Sequence, residues 1–73
     1  MSVLAEIPLG REVTVRAIRG PRAFRRRLLE LGLVPGTAVI VRAIAPLGDP
    51  LQISVRGSQW SLRKGEAAQI EVD

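Results

Sequence analysis

The chain has 73 residues and a formal net charge of +4, with neither cysteine nor histidine. That length suits one domain that buries roughly 60% of its extended surface, and it leaves no room for a deep, enclosed active site. The missing residue types exclude disulfides, thiolate chemistry and cysteine zinc sites, and they remove the commonest general base and transition-metal ligand.

Residues 1–8 lack the basic start and long apolar stretch of a signal peptide, and no run approaches the roughly 20 apolar residues that cross a bilayer. The expectation is a soluble, cytoplasmic protein with a single domain over residues 1–73. Residues 11–18 alternate as a half-buried strand, opened by Pro8-Leu9-Gly10 and closed by Gly20-Pro21. A helix is predicted between Pro21, as a first helical residue, and Gly32, as the left-handed residue that ends it. Phe24, Leu28 and Leu31 recur at helical spacing as a narrow stripe toward the core, which turns Arg22, Arg25, Arg26 and Leu29 outward.

Pro35-Gly36 makes a turn, residues 37–45 are rich enough in β-branched side chains for one long strand, and Pro46-Leu47-Gly48-Asp49-Pro50 breaks it as a loop. Residues 51–56 and 59–63 alternate around Gly57-Ser58 as a hairpin, Lys64-Gly65-Glu66 forms a single turn, and residues 68–73 close the chain as a strand. The inward set is Val13, Val15, Val39, Val41, Ile53, Val55, Trp60, Leu62, Ile70 and Val72. Ile40 and Ile44 fall on the opposite face of their strand, and the favoured reading covers them with the helix or the N-terminal segment. The fold class is therefore mainly β: a small curled barrel of five strands, with one helix inserted between the first two.

Arg16, Arg19, Arg22, Arg25, Arg26 and Arg27 follow one another with no acid between Val13 and Leu29. An acidic partner fits this concentration, and so does the plain need of a small domain for surface charge. The carboxylates are scattered singly and read as solvated surface charges, with no pair spaced for acid and base work. No phosphate-cradling glycine motif occurs, so neither catalysis nor a bound cofactor is expected. Membrane-surface binding by the helix finds too little apolar area, because its apolar stripe is needed by the core. The alternative is a small basic nucleic-acid-binding module, against which both aromatics, Phe24 and Trp60, read as core rather than as stacking platforms. An acidic protein surface suits Arg25, Arg26 and Leu29 best, since arginine pairs its planar fork with carboxylates while its stem packs on apolar atoms. Leu29 reads equally well as a partly buried neighbour of the core stripe.

The order Leu9-Gly10, a strand, Arg26-Arg27-Leu28-Leu29-Glu30-Leu31-Gly32-Leu33-Val34-Pro35-Gly36-Thr37, then Pro46-Leu47-Gly48-Asp49-Pro50, Ser61-Leu62-Arg63-Lys64 and Ala68-Gln69-Ile70-Glu71-Val72 resembles the FeoA family over essentially the whole chain. FeoA proteins are small cytosolic components of bacterial ferrous iron transport. The resemblance implies an SH3-like barrel with the helix after the first strand, an accessory role without enzymatic activity, and a partner in FeoB, the membrane transporter whose cytosolic portion carries a GTP-binding domain. Similar domains stand at the ends of iron-dependent repressors, but this chain has no room for a helix-turn-helix. Arg25, Arg26 and Leu29 are then the principal contact residues, with Arg22 and Arg16 adding salt-sensitive attraction. Arg27 is expected to make a structural hydrogen bond to a neighbouring carbonyl or to Glu71. No tight ferrous site is expected without Cys or His.

Overall fold

The computed structural model describes residues 2–73. Six strands form one antiparallel sheet in the order β1-β6-β2-β3-β4-β5: β1 Ser2–Val3, β2 Glu12–Ile18, β3 Ala38–Ile44, β4 Leu51–Val55, β5 Ser58–Leu62 and β6 Ile70–Val72. Helix α1, Arg22–Glu30, lies between β2 and β3, and a one-turn helix α2, Lys64–Ala67, lies between β5 and β6. The five expected strands are present, and the short β1 adds a sixth by pairing Ser2 with Val72 and Val3 with Glu71.

β2 curls the sheet because its two halves serve different neighbours. Glu12, Val13 and Thr14 pair with β3, whereas Val15, Ala17 and Ile18 pair with β6. Between them Arg16 is an extra residue without a ladder partner, and such a bulge bends a strand and raises its twist. β3 repeats the device at Arg42, between the pairs Val41–Ile53 and Ala43–Gln52. Each bulge reverses the side-chain alternation beyond it. Ile44 therefore pairs with buried Leu51 instead of sharing a face with Ile40. The covered reading of Ile44 is corrected, since it remains 43% exposed at the strand's end, while Ile40 is half-buried. By the same reversal Ile18 turns inward, pairs with Ile70 and packs against the core.

The core holds nine of the ten residues of the predicted inward set, all buried, with Trp60 half-buried at its edge. Leu4, Ile7 and Ala67 complete it from the N-terminal segment and α2, which periodicity did not single out. The β4–β5 hairpin turns at Arg56-Gly57, one residue earlier than expected. Both residues have positive φ, 51° and 81°, as a turn matched to the twist of its flanking strands requires.

The end of α1 explains the Leu-Gly-Leu-Val-Pro-Gly-Thr segment. Pro21 is the N-cap rather than the first helical residue, and its carbonyl accepts the N–H of Arg25 at 3.1 Å. At the other end Gly32 takes φ of 95°, the Leu33 N–H donates to the Leu28 carbonyl at 2.9 Å, and the Gly32 N–H donates to that of Leu29 at 3.0 Å. This Schellman pattern brings the residues before and after the stop together. Leu28 and Leu33 are accordingly both completely buried. Leu31, expected in the core stripe, is the C-cap and is 56% exposed, because the reversal hands its place to Leu33. The chain then turns through Pro35 and Gly36, closed by the Thr37 N–H to the Val34 carbonyl at 3.0 Å. The buried Thr37 hydroxyl accepts the Val34 N–H at 3.2 Å and donates to the Gly32 carbonyl at 3.4 Å.

Candidate partner-binding surfaces

α1 is short and amphipathic, so burying Leu28 and half-burying Phe24 decides which side faces water. Arg22, Arg25, Arg26 and Leu29 lie on the exposed side, and Leu29 is 59% accessible, which resolves it as a surface residue. Among the described residues none of these three arginines makes an ion pair. Arginines elsewhere in the basic run do. Arg16 pairs with Asp73 at 3.3 Å, Arg19 with Glu71 at 2.6 Å, and Arg27 with Glu66 at 2.7 Å. The structure thus groups Arg22, Arg25, Arg26 and Leu29 on one helix, while Arg16 sits at the β2 bulge with a carboxylate beside it.

Arg27 has the structural role expected of it, with a different partner. Its guanidinium bonds Glu66 and lies 5.7 Å from the centroid of the Phe24 ring, within range of a cation–π attraction. Glu71 is engaged by Arg19 instead. The hydrogen bond from Arg19, with its charge, holds the Glu71 carboxyl below the usual carboxylate range. Glu66 is likewise lowered, first by the N–H of Arg63 and then by the Arg27 hydrogen bond. The reading of the acids as merely solvated is corrected for Asp49 and Glu66, which hold backbone N–H groups at 3.0 Å, and for Glu71 and Asp73, which hold arginines.

A groove of 680 Å³ runs along the other edge of α1. Arg27, Leu28 and Leu31 form one wall, Leu47, Asp49 and Pro50 the other, and Trp60, Ser61 and Leu62 of β5 lie along it with Arg63 and Glu66. Leu47 is 96% exposed at the rim. Sequence reasoning missed this site because its walls come from four separated segments. The misplaced Leu31 and the exposed leucine of the Pro-Leu-Gly-Asp-Pro loop are its only linear traces. Among the described residues no group of three or more carboxylates could hold a metal ion, and no helix is long and apolar enough to cross a membrane.

The fold and these surfaces define a small SH3-like domain, its sheet curled toward a barrel but with β1 and β5 left as edges rather than closed on each other. The family model for the FeoA domain matches residues 3–73. The chain is 38% identical to FeoA from Chlorobium tepidum, whose structure superposes with a TM-score of 0.91 over 96% of this chain and 67% of that one. FeoA from Stenotrophomonas maltophilia, solved with zinc and described as a prokaryotic SH3 domain protein, is 35% identical with a TM-score of 0.87, covering 100% of this chain and 91% of its own. A Porphyromonas gingivalis fusion of Fe(2+) transport protein A with the Fe(2+) transporter FeoB is 37% identical over 70 residues, spanning 96% of this chain and 8% of the fusion. This chain belongs to the FeoA family.

Proposed function

We propose that this FeoA-family chain acts in the cytoplasm as an accessory protein of ferrous iron transport, docking on the cytosolic portion of a FeoB-type transporter and modulating its assembly or GTP-dependent turnover. The observation that carries this reading is the row of arginines, Arg22, Arg25 and Arg26, without carboxylate partners among the described residues, around the exposed Leu29. Such a surface attracts an acidic face over a Debye length of about 8 Å and supplies arginine forks to its carboxylates at contact. Arg16 adds positive charge at a distance, in competition with Asp73. The P. gingivalis fusion supports the choice of partner, because joining two modules in one chain raises their effective concentration and favours pairs that work in contact. The groove runs along the opposite edge of the same helix, and its exposed Leu31 and Leu47 make it a second part of the docking surface in this reading.

Arg25→Glu with Arg26→Glu tests the reading. The double variant is expected to keep the parent's thermal midpoint within a few degrees and to lose capture of the transporter's GTP-binding portion, together with support of iron uptake. Normal uptake at normal protein level would reject the α1 face as the contact.

A further inference from the structure

The two walls of the groove are distant in sequence, and α2 lies between them. The loop of residues 45–50 is closed on itself, with the Ala45 N–H donating to the Pro50 carbonyl at 3.1 Å and the Gly48 N–H to the Ala45 carbonyl at 2.7 Å. These two bonds brace the loop between the ends of β3 and β4. Asp49 Oδ1 ties it to the first residue of α2 by accepting the Lys64 N–H at 3.0 Å. From the opposite side Glu66 uses both oxygens. Oε1 accepts the Arg63 N–H at 3.0 Å, and Oε2 accepts the Arg27 guanidinium of α1 at 2.7 Å. A four-residue helix is too short to persist alone, and α2 is anchored by the completely buried Ala67.

We infer that Asp49 and Glu66 are positioning residues of the groove, latching the 45–50 loop and α1 to α2 from either side and so setting the gap in which Leu31, Leu47 and Trp60 are presented. The inference rests on the groove's being part of the docking surface. It also assigns a role to the aspartate of Pro-Leu-Gly-Asp-Pro that turn chemistry leaves unexplained.

The single tryptophan, Trp60, reports on the gap directly. Asp49→Ala is expected to raise quenching of Trp60 by acrylamide and to speed amide exchange at Lys64 about tenfold, the loss of one hydrogen bond to a charged group. Asp49→Asn keeps an acceptor oxygen in place and restores both. Arg27→Met releases the α1 side alone and raises Trp60 quenching while leaving Lys64 exchange at the parent rate. Unchanged Trp60 quenching in Asp49→Ala, or an Asp49→Asn as disturbed as Asp49→Ala, would overturn the inference. Parent-like capture of the transporter's GTP-binding portion by Asp49→Ala, with Trp60 quenching raised, upholds the latch and removes the groove from the docking reading.

Discussion

Thr37 shows how much one hydroxyl does in a small barrel. It is buried between the end of α1 and the start of β3, and its oxygen serves both the Val34 N–H and the Gly32 carbonyl at the point where the chain has just left a left-handed glycine. Thr37 itself is buried, so its hydroxyl depends on these two partners, and they in turn are served by a side chain rather than by solvent alone. Thr37→Val keeps the shape and removes the oxygen. It is expected to lower stability by about 1–3 kcal/mol in urea unfolding, with Thr37→Ser recovering most of the loss. Gly20 carries a comparable constraint in its backbone. Its φ is 95°, a conformation that requires glycine, and a Cβ there would sit tightly at 3.3 Å from the Phe24 ring.

In α1 the decisive feature is the stop rather than the period. A helix continuing through Gly32 would bury Leu31; the left-handed turn at Gly32 buries Leu33 instead and leaves Leu31 to line the groove. Leu28→Ala and Leu33→Ala are each expected to cost about 2–5 kcal/mol by leaving a cavity, and Leu31→Ala to stay within about 0.5 kcal/mol. Denaturant midpoints of the three variants check the assignment, and a large loss at Leu31 would restore the stripe read from spacing. The helix was legible because Pro21, Gly32 and the arginine-rich face are local signals. The exchange of Leu31 for Leu33 was not, because it depends on hydrogen bonds that form only when the Schellman turn closes.

For the molecule as a whole, the carboxylates act as fasteners between elements distant in sequence. Glu66 joins α2 to α1, and Glu71 joins β6 to Arg19 just beyond β2. Both have carboxyls held below their ordinary range, so the unfolded chain binds protons at a pH where the folded chain does not. Their stabilisation is complete above the ordinary glutamate value of about 4.3 and is lost as pH falls through the lower values of the folded state. Thermal midpoints are expected to hold from pH 7 to 5 and to drop below pH 4. Glu66→Gln and Glu71→Gln should start lower at pH 7 and fall less on acidification, because the group that titrates is gone. A parent-like drop in both variants would assign the acid sensitivity to other carboxylates.

The linear order of residues was sufficient for five of the six strands, the helix α1, the cationic run and the family, because alternation, helix punctuation and turn dipeptides act over a few neighbours along the chain. Folding alone selected which arginines remain unpaired, since Asp73, Glu71 and Glu66 meet Arg16, Arg19 and Arg27 across 57, 52 and 39 positions of sequence. Folding also made the groove and reversed Ile18 and Ile44 at the Arg16 and Arg42 bulges. A bulge is defined by the partner strand it faces, and a groove by walls that only packing brings together.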